Sequence, residues 1–143
     1  MPTEAATAES TTAHEALDVR AVVFSLTAKD LSKSIAWYRD VLGFTVDYQR
    51  DQDGKPASAG IRSGCSSIHL NQDDGGRGWD RMKGEGFSIT FDTAQDVDGI
   101  AARIKAQGAS LAMEPADMPW GVRMLRVTDP DGYRLGVWRP LKA

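Results

Sequence analysis

The sequence predicts an α+β fold built from two βαβββ modules, and three observations lead there. The chain resembles itself at an offset of about 66 residues: Asp30-Leu31 returns as Asp96-Val97, Gly43 as Gly108, and Ile68-His69-Leu70 as Leu135-Gly136-Val137. Each unit, 22–71 and 87–140, reads as a strand, a helix and three further strands. Polar turn clusters, Asp51-Gln52-Asp53-Gly54 and Asp129-Pro130-Asp131-Gly132, separate later strands within each unit. Self-similarity at a fixed period marks one architecture built twice.

The elements follow in order. Residues 21–27 are apolar, β-branched or aromatic at most positions, which suits a buried strand. Asp30 can cap a helix in which Leu31, Ile35, Tyr38 and Leu42 recur at helical spacing, and Gly43 ends it. Residues 44–49 alternate as a half-buried strand, and two short strands follow at 57–63 and 66–71. The stretch 72–86 is rich in Asp, Gly, Arg and Lys and reads as a loop, although it carries Trp79 and Met82. The second unit repeats the plan: a strand at 87–91, a helix over about 96–107, and strands at 110–114, 122–127 and 133–138. Residues 115–121 read as a loop holding Met118 and Trp120.

A chain of 143 residues is most simply one domain. The expected organisation is a flexible tail, 1–18, then a single domain, 19–143, made of modules 19–72 and 86–141 joined by loop 73–85. With 17 Lys and Arg against 20 Asp and Glu, the net charge of −3 gives no electrostatic footprint for nucleic acid or an anionic membrane. The longest apolar run, 21–26, falls far below the roughly 20 residues of a membrane span. Cys65 is the sole cysteine, so neither an intrachain disulfide nor a multi-cysteine metal site can form. The first 18 residues, rich in Ala, Thr and Glu, lack the basic start and apolar stretch of a secretory signal, and the expected location is the cytoplasm.

Two motifs, Asp30-Leu31-Ser32-Lys33-Ser34-Ile35-Ala36-Trp37-Tyr38-Arg39-Asp40-Val41-Leu42-Gly43-Phe44 and Asp129-Pro130-Asp131-Gly132-Tyr133-Arg134-Leu135, resemble those of the vicinal oxygen chelate superfamily. That group includes glyoxalase I, extradiol dioxygenases, fosfomycin-resistance enzymes and bleomycin-resistance proteins. The resemblance implies a curled eight-stranded mixed sheet, the glyoxalase/bleomycin-resistance fold, cupped around a cavity. In the metal enzymes of the family, four inward side chains bind a divalent ion. Carried onto this sequence, those four positions fall on Val23, His69, Phe87 and Gly136. One imidazole among them cannot hold a catalytic metal, which needs about three protein ligands. His14 lies in the presumed tail, and a ligand set drawn from Asp73, Asp74 or a partner subunit is the remaining route. The resemblance is therefore strongest to metal-free bleomycin-resistance-like members, with no cofactor and a homodimeric assembly.

The candidate ligand-binding residues are His69, Phe87, Trp79, Trp120, Met118, Val23, Ser25 and Trp138. His69 would anchor a ligand by hydrogen bonding, or move a proton. Val23, Phe87 and Gly136 would leave an apolar, enlarged floor, and strand alternation turns Ser25 and Ser67 the same way as their neighbours two residues off. Trp79 and Trp120 in loops can stack on a planar ligand, with Met118 and Met124 adding adaptable contact. Trp138 equally suits a core position, and Trp79 a subunit contact. Asp30 and Asp96 are explained as helix caps and Asp131 as a turn residue. The expected function is metal-independent binding of a small aromatic or amphipathic molecule such as an antibiotic. The alternative is a lyase or isomerase using His69 as acid/base.

Overall fold

A computed structural model describes residues 16–142. The expected tail falls mostly outside the described residues, as does His14. The first module consists of β1 (Val23–Ala28), α1 (Leu31–Asp40), β2 (Thr45–Gln52), β3 (Lys55–Ser63) and β4 (Ser66–Gln72). The second consists of β5 (Ser88–Asp92), α2 (Val97–Ala106), β6 (Met113–Met118), β7 (Val122–Thr128) and β8 (Arg134–Pro140). The eight strands form two four-stranded sheets, ordered β1-β4-β3-β2 and β5-β8-β7-β6. Each sheet is mixed: β1 runs parallel to β4 and β5 to β8, and the other pairs are antiparallel. This is the α+β arrangement expected, with the cup divided into two open halves that no strand pairing closes.

Local chemistry fixes the helices. The Asp30 carboxylate accepts a bond from the Lys33 amide at 3.3 Å, satisfying an orphan donor of the first turn of α1. Leu31, Ile35 and Tyr38, one turn apart, are buried on one face. Gly43 takes φ +79° beyond the last turn, and any side chain there would collide with the Arg103 guanidinium of α2. Asp96 and Gly108 (φ +85°) play the same parts for α2.

Strand alternation splits each sheet into two faces. Leu26, Ile61, Ile68 and Leu70 in the first sheet and Ile89, Leu125, Leu135 and Val137 in the second point towards the helices, forming one cluster with Tyr38 and Ile104. The core therefore lies where the inner faces of the two sheets meet the apolar faces of both helices, whose other faces, with Lys33, Arg39, Asp98 and Lys105, are exposed. The residues that alternate with it are turned away from that core, so each sheet keeps one open face.

The turn at 129–132 locks the modules together. Asp129 accepts backbone N–H bonds from Asp131 (2.8 Å) and Tyr133 (2.9 Å), and the Tyr38 hydroxyl reaches across to its other oxygen at 2.7 Å. Asp131 accepts from the Lys29 amide and the Ser34 hydroxyl, and the Tyr133 hydroxyl meets the Thr27 backbone. Burial pushes the Asp129 carboxyl above the usual range, against the pull of its hydrogen bonds, and burial likewise raises the Tyr38 phenol.

The connecting segment between β4 and β5 is held by Asp73, which is 4% exposed. Its carboxylate accepts from the Gly75 amide and pairs with Lys83 at 3.2 Å and Arg81 at 3.6 Å. The Gly75 bond, then Lys83 and Arg81, hold the Asp73 carboxyl below its usual range.

Two strands, β6 and β2, end three or more residues from where the sequence reading placed them. The segment 115–118, expected as loop, belongs to β6, an edge strand whose register slips between Met113 and Ala116. A bulged edge accommodates Pro115, which has no N–H to donate. The turn after β2 is confined to Asp53 (φ 54°) and Gly54 (φ 76°), because a two-residue turn with both central φ positive lets the hairpin strands continue up to it.

Candidate functional site

The open face of the first sheet carries His69, whose ladder partners are Ser25 on β1 and Gly60 on β3. Val23 and Ser67 pair two residues along on the same face. A residue absent from the sequence expectations joins them: the Tyr48 hydroxyl lies 3.0 Å from His69 Nδ1, with its ring packed over Gly60. The two rings meet edge on, with centroids 5.6 Å apart. A register shift between Val46 and Tyr48 explains the miss. Simple alternation would put Tyr48 on the core face with Val46; the bulge turns it outward, towards His69. Gly60 is the sequence signal that could have revealed it, since a Cβ there would collide with the Tyr48 ring.

The open face of the second sheet bounds a cavity of about 620 Å³. Trp120, Trp138 and Phe87 line it, together with Met124, Thr90, Arg126 and Arg134. Gly121, at φ +87°, turns the chain between β6 and β7 and leaves Trp120 55% exposed at the cavity. Trp138 is half-buried and donates its Nε1–H to Asp92 at 3.0 Å, which fixes the indole against β5. Gly136 is not an empty floor position: the Met124 methyl fills the space its side chain would take, beside the Thr90 hydroxyl. Phe87 precedes β5, is 42% exposed and rests against Tyr133 at the rim. The inward strand positions there are Ser88 and Thr90, which pair with Arg134 and Gly136.

The candidate residues thus fall into two groups on separate sheets. His69, Ser25 and Val23 share one open face; Trp120, Trp138 and Phe87 share the other, and Met118 sits at its edge opposite Val122. Trp79 joins neither. It packs over Gly75 and lines a different cavity, of about 670 Å³, with Lys29, Lys33, Gln72 and Asp131.

The donor set does not fit a divalent metal. Ladder pairing places Ser25 and Gly60 beside His69 on one face and Thr90 beside Gly136 on the other, so the one imidazole has no second imidazole or carboxylate next to it. Asp73 is committed to Lys83 and Arg81, and Asp74 accepts from the Gly76 amide. Among the described residues no three His, Cys, Asp or Glu side chains converge as ligands.

Comparison with known proteins agrees with the two-module fold. The model of the Glyoxalase/Bleomycin resistance protein/Dioxygenase superfamily matches residues 12–137. No curated protein sequence matches. The solved structure of TioX from a Micromonospora species is 22% identical, with a TM-score of 0.70 over 86% of this chain and 100% of that one. TnmS3, an antibiotic binding protein from a Streptomyces species, is 22% identical, with a TM-score of 0.68 over 86% and 97% of the two chains. A glyoxalase I variant from Zea mays is 23% identical with a TM-score of 0.70; 85% of this chain aligns with 47% of that protein. At such identities the likeness is one of fold.

Proposed function

Since the chain belongs to the Glyoxalase/Bleomycin resistance protein/Dioxygenase superfamily, we propose that it is a metal-independent small-molecule-binding protein, cytoplasmic and homodimeric, which sequesters an aromatic or amphipathic compound such as an antibiotic. The observation that carries this reading is the cavity on the second sheet. Its volume of about 620 Å³ falls in the range of small-molecule sites, and three large aromatic side chains line it. Ring faces of this kind exclude water and pack a flat ligand. TnmS3, described as an antibiotic binding protein, shares the fold.

Dimerisation completes the groove. The sheet faces with Trp120 and with His69 are turned away from the shared core, so a second copy can lay its His69 face over the first copy's aromatic face, enclosing the ligand between them. His69 and Tyr48 of one copy then supply the polar anchor for a ligand held by Trp120, Trp138 and Phe87 of the other. Trp79, on a separate cavity, takes no part. Protection follows mass action, and molar excess over the compound matters more than turnover.

The Tyr48–His69 hydrogen bond favours one second reading, a metal-free lyase or isomerase in which His69 moves a proton. His69→Ala separates the two. A binder loses affinity modestly, because its energy comes from aromatic burial; an enzyme loses turnover. Titration with a panel of planar compounds, followed by tryptophan fluorescence, tests the leading reading. It predicts saturable quenching at one ligand per subunit, weakened in Trp120→Ala. Unchanged affinity in that variant contradicts the placement of the groove.

A further inference from the structure

The aromatic cavity also holds two guanidinium groups, Arg126 on β7 and Arg134 on β8. Arg126 lies directly opposite Gly136 in the ladder, and Arg134 is two residues before Gly136 on the same face. Such diagonal neighbours stand about 7–8 Å apart, close enough for two long side chains to converge on one group. Arg39, Arg62, Arg81 and Arg123 each have an aspartate within 4.0 Å. Among the described residues neither Arg126 nor Arg134 has one, nor do Arg20, Arg50, Arg77, Arg103 and Arg139, but of these only Arg126 and Arg134 line the aromatic cavity; Arg126 reaches the Met113 sulfur at 3.9 Å. Glu85, three residues before Ser88, pairs with neither arginine among the described residues, and the carboxylate on the strand itself, Asp92, is held by the Trp138 indole. It sits four residues from Ser88, the ladder partner of Arg134, about 13 Å away at the rise of a strand. Thr90 adds a hydroxyl at the floor. Both side chains are exposed, so an anion entering the cavity meets two guanidinium groups that are free to turn towards it.

We propose that the ligand of this groove is an aromatic acid: a planar body packed by Trp120, Trp138 and Phe87, carrying a carboxylate, sulfonate or phosphate gripped by Arg126 and Arg134. The inference rests on the reading of the cavity as a ligand site. Guanidinium suits the role because its planar fork pairs with two oxygens of such a group at once.

The test compares three probes on one ring system, 1-naphthoate, 1-naphthalenemethanol and 1-naphthylmethylammonium, by equilibrium dialysis against the full chain at low and high salt. The expected result is naphthoate bound about tenfold or more tightly than either other probe, as one charge-assisted hydrogen bond can supply. That preference should shrink with salt and fall within about twofold in Arg126→Gln/Arg134→Gln, with partial retention in the paired Lys variants. Equal binding of all three probes overturns the acid preference while leaving the small-molecule reading intact. Binding of none of them overturns both. A double Gln variant that turns monomeric while the parent is a dimer assigns the arginines to the subunit contact and also overturns the proposal.

Discussion

Removing one oxygen from the core tests how the two modules are joined. Tyr38 is fully buried on α1, and its hydroxyl donates to the Asp129 carboxylate of the second module at 2.7 Å. In Tyr38→Phe the ring still packs against Phe44 and Trp37, and what disappears is a hydrogen bond to a buried acid. Such a bond contributes about 1.5–3 kcal/mol. For a domain of this size that corresponds to a fall in Tm of about 6–12 °C. The loss depends on pH. Burial holds the Asp129 carboxyl above its range in the unfolded chain, about 3.9, so the folded state binds the proton more readily. Stability linked to this group is fullest below the unfolded value and declines as pH rises through the raised folded one. Without the Tyr38 hydroxyl the folded value rises further, and the decline extends to higher pH. The deficit of the variant is therefore smaller near pH 4 than at pH 7. Urea unfolding followed by circular dichroism, at fixed protein concentration because any association of copies would shift the transition, measures it. A loss below about 0.5 kcal/mol at pH 7, or a larger loss in acid than at neutral pH, refutes the latch.

Other perturbations separate fold from site. Gly43→Ala, at φ +79° beneath the Arg103 guanidinium, should cost about 1 kcal/mol or more in the same unfolding assay; an unchanged midpoint would mean that the left-handed turn is not required. Trp120→Ala, at a half-exposed ring, should alter stability by less than about 0.5 kcal/mol. The same variant should weaken naphthoate binding by about five- to thirtyfold in dialysis, in keeping with a truncated aromatic anchor. Gly60→Val drives the Tyr48 ring off its seat and should shift the His69 imidazole resonances in NMR spectra, whereas unchanged resonances would contradict the contact. Incubation with Ni, Mn, Zn or Fe(II) should leave less than about 0.1 metal ion per subunit after desalting; stoichiometric metal would overturn the donor count.

The fold was legible because its determinants are local and repeated. Asp30 and Asp96, Gly43 and Gly108, and the apolar stripe of Leu31, Ile35 and Tyr38 each act within a turn or two of their own position, and the structure keeps them in those roles. The misplaced boundaries came from Pro115, tolerated on a bulged edge, and from a turn tighter than its polar composition suggested. The candidate site was legible only in pieces. His69 and Trp120 could be named from position and residue type, but their placement on faces turned away from one shared core is a property of how two sheets pack, which no strand pattern encodes. Tyr48 was hidden by a bulge that reverses alternation. Arg126 and Arg134 were hidden for a plainer reason: an arginine on an alternating strand looks like ordinary solvent-facing charge until the ladder sets two of them diagonally on an aromatic face. The Asp129 and Asp131 carboxylates read as turn residues, and the turn is indeed where they sit, yet their bonds to Tyr38, Lys29 and Ser34 span the whole molecule.

In the proposed groove one copy gives His69 and Tyr48, and the other Trp120 and its neighbours. Mixed dimers test this sharing. One copy carries His69→Ala/Tyr48→Ala, the other Trp120→Ala, and naphthoate binding to the purified heterodimer is measured by equilibrium dialysis. A groove shared between copies places both lesions in one site and leaves the second site intact, so the heterodimer should show one site of parental affinity per dimer. If every site is weakened, or if a monomer binds with full affinity, the groove lies within a single chain and the account fails.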